Sequence, residues 1–311
     1  VGTGNRRQAS MATGEPAGTV YARVQRLFRD VRCSWEHTNA RSNHTACHAP
    51  ACNYRALEIS GPRNYQARDQ GVERGNRSRW SRLRRFPPPV LSPGWISHFL
   101  WNDYYQTDEE YFYAIADFVK GEYEAVVEAG FILQIDDPSM VTRYGYPNPS
   151  LSVEEYRKHV EMRVEALNHA LSNISEDKIR FHTCWGSQHS PHTTDLPLRH
   201  VIDLILKVNA GAISLETADA RHPLDWKIWE EFRLPDGKIF IPGVVAHKTT
   251  TVEPPELVAD RILNYARIMG RENVIAGTDC GYGGRVYPDI AWAKMRSMAE
   301  GAELASRQLW P

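Results

Sequence analysis

The chain has 311 residues, of which 42% are hydrophobic and 24% charged, enough apolar material for one large core or two smaller ones. A formal net charge of −1 gives no overall pull toward nucleic acid or a membrane surface. No apolar run approaches the roughly 20 residues needed to cross a bilayer, and the opening VGTGNRRQAS lacks the apolar stretch of a secretory leader.

The average charge hides a split. Residues 1–92 carry 16 Arg, no Lys and 6 acidic residues, whereas residues 93–311 carry 21 basic and 32 acidic ones. The first segment has no sustained period of 2 or 3.6. It can be read as a basic arm for nucleic acid, or as a zinc module of Cys33, Cys47, His48 and Cys52, but its aromatics are sparse and the spacing matches no finger pattern. The reading adopted is an atypical Arg-rich segment, poorly ordered or the product of an aberrant reading frame, with no nucleic-acid role. Five scattered cysteines, an odd number, argue against a disulfide framework and for a reducing, cytoplasmic setting.

From residue 93 a second domain begins. PPVLSP (88–93) is a possible first strand. Residues 108–130 have apolar positions at helical spacing and end on Gly130. FILQID (131–136) reads as a strand, and 152–173 as a helix capped by Ser152 with Glu155 three residues on. The spacing then predicts a strand over 179–185, a helix over 196–211 closed by Gly211, a strand over 212–217 and a short helix over 223–232. A strand over 238–245, a helix over 254–270 with proline in its first turn, a strand over 273–279 and a helix over 288–310 complete the chain. Short, nearly continuous apolar strands alternating with helices imply an α/β fold on a parallel sheet. A barrel needs eight strands, and a doubly wound sheet would need a glycine-rich phosphate loop that the sequence does not show.

In such folds chemistry collects at the C-terminal strand ends. Asp136 and Asp137 follow the strand over 131–136, and His182 and Cys184 end the one over 179–185. Glu216 and Asp219 come at the next strand end, His247 after 238–245, and Asp279 and Cys280 after 273–279. Residues i and i+2 of a strand share a face, so His182 and Cys184 can converge on one ion. His182, Cys184, Glu216 and Cys280 form an expected Zn2+ quartet, because zinc takes imidazole, thiolate and carboxylate in a tetrahedral shell. The competing reading makes both cysteines core residues and His182 a satisfied polar group.

FHTCWG, SLETAD and GTDCGYG resemble the zinc-ligand segments of the cobalamin-independent methionine synthase family, and QIDDP is similar to that family's Ile-Asp-Glu-Pro segment. The resemblance covers residues 93–311 and is nearest to the short, single-barrel relatives. It implies a TIM-type (β/α)8 barrel, incomplete or irregular at its N-terminal strands, since the family's Gly-Ser and Asp-Gly-Glu segments have no counterpart in residues 1–92. It implies zinc-dependent methyl transfer to a substrate thiol, homocysteine by default, from a methyl-folate donor. Asp136 is then expected to meet the substrate ammonium, His189 and His192 to line the pocket rim, and His247, His189 or Asp279 to act as catalytic acid. Alternatives are alkyl transfer to another small thiol, or a degenerate zinc-binding barrel without activity; the metal-free porphyrinogen decarboxylase branch is disfavoured by the quartet. The expected assembly is a monomer or homodimer with small-molecule partners only.

Overall fold

The computed structural model describes residues 89–310 except 143, 145–150 and 188–191. Nearly all of the 1–92 segment, with its Cys33, Cys47, His48 and Cys52, and His189 of the expected rim, therefore lie outside the described residues.

Six strands are seen: β1 Val90–Leu91, β2 Leu133–Asp136, β3 Ile179–Thr183, β4 Ala212–Leu215, β5 Ile239–Val245 and β6 Gly277–Thr278. They form one parallel sheet in the order β1-β2-β3-β4-β5-β6. Each crossover moves to the next strand without reversing direction. A doubly wound sheet reverses at its switch point, whereas a barrel steps round in sequence. The fold is α/β of the (β/α)8 barrel type, and β1 and β6 do not pair with each other among the described residues. The barrel is thus unclosed there, as expected for its N-terminal part.

Among the described residues seven helices accompany the sheet: α1 Pro93–Ile96, α2 Asp108–Glu128, α3 Ser139–Thr142, α4 Val153–Ala170, α5 Ile202–Ile205, α6 Pro255–Met269 and α7 Pro288–Leu309. None is long and apolar enough to cross a membrane. Local chemistry explains the long ones. Thr107 accepts the Glu110 N–H at the start of α2, and three acids in the first turn face the positive end of the helix dipole. α2 buries Phe112, Ile115, Val119, Tyr123 and Val126 at three- and four-residue spacing. α4 opens with the full Ser152–Glu155 capping box. α6 begins at a proline and stops at Gly270, whose φ of 90° favours glycine.

Three expectations are corrected. The helix over 196–211 is a 3-10 turn, Leu198–His200, followed by the single turn of α5; Val201, at φ −137°, interrupts the ladder between them. Gly211 does not close it. A Cβ there would stand 2.7 Å from the Glu176 carbonyl, which accepts the Gly211 N–H, so glycine lets the chain pass beneath the turn preceding β3. The helix over 223–232 is a 3-10 segment, Asp225–Glu230. The strand over 273–279 pairs only at Gly277–Thr278, after a register shift on β5 and an isolated Phe240–Val274 bridge.

α7 buries Lys294, Ser297, Gly301 and Ala305, a stripe of small residues and one lysine, and packs along α6. A Cβ on Gly301 would fall 2.5 Å from Val258 Cβ and 2.7 Å from the Pro255 carbonyl. Gly301→Ala is expected to lower the unfolding free energy by about 1–3 kcal/mol despite alanine's better helix propensity. Urea titration reads this, and a neutral or stabilising result would show that the α6–α7 seam yields.

Candidate metal centre

The centre forms where β2, β3, β4 and β6 end. Register pairs Asp136 with His182, and His182 with Ser214. Laterally paired residues of adjacent strands project to the same face, so these three stand in a row. His182 Nδ1 lies 3.1 Å from Ser214 Oγ and its Nε2 3.6 Å from Asp136 Oδ1. Cys184, just past β3, shares the His182 face, and Cys280 comes in from just past β6. Their Sγ atoms are 4.0 Å apart, and neither cysteine is in a disulfide. That is far beyond an S–S bond of about 2.05 Å, and near the roughly 3.8 Å expected for two thiolates on one tetrahedral zinc with 2.3 Å bonds.

Ligand atoms of His182, Cys184 and Cys280 lie within 4.8 Å of one another. Glu216 belongs instead to a second such group, with His247 and Asp279. Its Oε2 accepts the Trp185 N–H at 2.9 Å and its Oε1 accepts from Arg221 at 2.8 Å, with Lys248 Nζ 3.6 Å away. Asp279 Oδ1 accepts the N–H groups of Thr217 and Ala218 at 2.8 and 2.7 Å, tying the end of β4 to that of β6. A Cβ at Gly243 would meet this carboxylate at 1.9 Å, so glycine on β5 makes room for it. His247 Nε2 is 3.1 Å from Ser187 Oγ, which donates to Cys280 Sγ at 3.6 Å. Asp137 is a turn acid: its Oδ1 accepts from the Ser139 N–H and hydroxyl. His192, whose side chain is largely buried, sits 3.0 Å from Asp195.

Electrostatics follow the burial. Cys184 donates to Cys280, which pushes the Cys184 thiol up and, with the hydrogen bond and charge of His182, pulls Cys280 well down. Burial opposes charge on His182, but a hydrogen bond to Cys280 and the charges of Asp136, Cys280 and Glu216 outweigh it and raise it to about 9. Burial raises Asp136 to about 6 and Asp279 to about 8, the latter with repulsion from Glu216, and lowers His247 to about 4. An imidazole fixed through Nδ1 beside two thiols is a donor set that suits zinc. His182 Nε2, the ring nitrogen turned away from Ser214 and toward the thiols, is the atom such an ion would use.

Sequence reasoning missed Ser214, Ser187, Trp185, Arg221, Lys248 and Asp195. Ser214 alone left a signal, two residues before Glu216 on the same strand face. The others sit in loops, where no periodicity marks direction.

His222 stacks on Trp185 with centroids 4.0 Å apart, and its ring nitrogens lie 3.4 Å from Asp195 and from Asp225. Burial opposes its charge, but the two carboxylates and Glu216 raise it to about 9. Arg221 also faces Asp195. A raised folded-state value contributes stability below the unfolded 6.5 and loses it as pH rises to about 9. Discounted for partial exposure, the loss is on the order of 2 kcal/mol. It is read as the difference in unfolding free energy between the protein and His222→Phe, which keeps the stacked ring; equal pH slopes would refute the assignment.

Residues 96–304 match the family profile of the cobalamin-independent synthase catalytic domain. A methionine synthase of Sulfurisphaera tokodaii is 24% identical over 222 residues, 71% of this chain and 56% of that protein. One from Thermococcus kodakarensis is 25% identical over 225 residues, 71% and 57% of the two chains. The chain thus spans little more than half the length of these relatives. The solved B12-independent methionine synthase from Shewanella sp. W3-18-1 superimposes with a TM-score of 0.56 at 20% identity, covering 71% of this chain and 63% of that one, and shares its fold. With two thirds of its length matched by that profile, this chain belongs to the cobalamin-independent methionine synthase family, as part of its catalytic domain.

Proposed function

We propose that the chain transfers a methyl group to a substrate thiol with the help of zinc, homocysteine being the acceptor and a methyl-folate the donor. The observation that carries this is the meeting of His182, Cys184 and Cys280 at the ends of β3 and β6. With Glu216 they would hold the ion, which when bound supplies a Lewis acid that keeps the acceptor sulfur as a thiolate at neutral pH.

The chain's own residues would do the rest. Ser214 fixes the ring of His182 through Nδ1 and leaves Nε2 to the ion. Arg221 and the Trp185 N–H hold Glu216. Asp136 would pair with the substrate ammonium, since its Oδ1 is buried with no hydrogen-bond partner. Asp279, raised to about 8 by burial and by Glu216, would hold a proton at neutral pH for the departing donor, and His247, lowered to about 4 and therefore neutral, would relay that proton rather than supply its own. His192, close to Asp195, would line the rim of the pocket, as would His189, which lies outside the described residues. The catalytic unit is assigned to residues 93–311, apart from the Arg-rich 1–92 segment. A site working through two free thiols fits a reducing, cytoplasmic setting.

The test is a methyl-transfer assay with zinc-loaded protein, homocysteine and methyl-folate, followed by methionine formation. Methionine that depends on zinc supports the reading. If zinc is bound but methyl-folate is inert while another methyl donor or thiol reacts, the substrates are reassigned. If zinc is bound and no thiol is alkylated, the barrel is a non-catalytic relative.

A further inference from the structure

Lys248 carries a buried ammonium whose protons find no acceptor. It lies three residues past β5, its side chain is 8% exposed, and its Nζ is buried with no hydrogen-bond partner among the described residues. Two carboxylates face it beyond hydrogen-bonding distance, Glu216 Oε1 at 3.6 Å and Asp219 Oδ2 at 4.0 Å. Both are already answered by Arg221, which donates to Glu216 Oε1 at 2.8 Å and to the two oxygens of Asp219 at 2.9 and 3.0 Å. Lysines that serve the framework of this protein close their bonds. Lys294 donates to Glu253 Oε2 at 2.8 Å, and Lys238 donates to the Val208 and Ala210 carbonyls at 2.7 and 2.8 Å. Lys248 is held in its ion cluster by charge alone.

A buried ammonium without hydrogen bonds is costly, and Glu216 does not need it, since each of its oxygens already takes a hydrogen bond, one from the Trp185 N–H and one from Arg221. What Lys248 adds is a second positive charge beside the one carboxylate of the proposed zinc quartet. Such a charge stabilises the ion-free carboxylate and repels a dication arriving at the same group. Out of contact with solvent, neither effect is screened as it would be on the surface. We propose that Lys248 competes with the metal ion for Glu216, and so sets zinc affinity below what the donor set alone would give. It is a positioning residue that acts through Glu216, by charge and without touching the ion. Arg221, its fork fixed by Asp219 and Asp195, keeps the carboxylate in place, whereas Lys248 is a point charge on a flexible stem and is the one that can withdraw. The inference rests on the proposed zinc reading and assigns no ion of its own.

Zinc affinity is measured on the full chain by competition with a chromophoric chelator. Lys248→Met, which keeps the stem and removes the charge, should bind zinc at least about tenfold more tightly than the unaltered protein. Lys248→Arg keeps the charge and should stay within about threefold of it. A lysine that only supported the ligands would give the opposite sign, because its loss would loosen them. Lys248→Gln, with the same gain expected, carries the test if the methionine variant fails to fold. In a Glu216→Gln background the gain from Lys248→Met should shrink to about threefold or less. Zinc bound no more tightly by the neutral variants than by the unaltered protein overturns the role of Lys248 and leaves the zinc reading standing. An undiminished gain in the Glu216→Gln background overturns the action through Glu216. If neither the unaltered protein nor any variant takes zinc, the zinc reading falls and this inference falls with it.

Discussion

Replacing Cys280 by serine is expected to empty the proposed zinc site and abolish methyl transfer. Zinc content should fall from about one per chain to below about one tenth, and turnover by at least about 10³-fold, because a serine hydroxyl does not ionise at neutral pH and gives the ion a poor fourth donor. The substitution also removes the acceptor that takes the Cys184 and Ser187 protons. Ser214→Ala is the milder companion. It removes the group that orients His182 without touching the proposed ligands, and is expected to weaken zinc about 10–100-fold. Elemental analysis and competition with a chromophoric chelator measure both. Full zinc retention in Cys280→Ser would sink the assignment of that thiol.

The second large effect is one of stability. Lys294 on α7 is fully buried, donates to Glu253 Oε2 at 2.8 Å and also reaches the Thr251 carbonyl. Glu253 Oε1 in turn accepts the Ala246 N–H at 2.7 Å, next to His247. Lys294→Ala leaves the buried Glu253 charge facing only Arg261, 4.0 Å away, and should cost about 3 kcal/mol in urea unfolding. Combining Lys294→Met with Glu253→Gln removes both charges and should recover part of that loss. A cost below about 1 kcal/mol for Lys294→Ala would mean that water reaches Glu253.

The strand ends were legible because each strand is a short apolar run that stops at a polar residue, as in ILQID, IRFHT and ISLET. Period and punctuation carry that information. The same reading placed Lys294 on a helix but not on its buried face, since a lysine looks like a solvent residue until Glu253 is known to lie opposite. It extended the 196–211 helix through Val201 because the apolar spacing continues while the backbone does not. Ser187 and Arg221 were invisible for another reason. Loop residues have no face, and what they touch is fixed only when β3, β4 and β6 come together. The split of the quartet into a thiol trio and a carboxylate group likewise depends on Arg221 drawing Glu216 toward itself, a tertiary event.

Cys184 and Cys280 lie 96 residues apart in sequence, yet their sulfurs stand 4.0 Å apart. Closing so long a loop in an unfolded chain costs about 4 kcal/mol of entropy before anything is gained. The pair meets only where β6 lies against β5. The proposed ion, needing both, would act as a clasp between the end of β3 and the end of β6, and its loss would loosen that edge of the sheet.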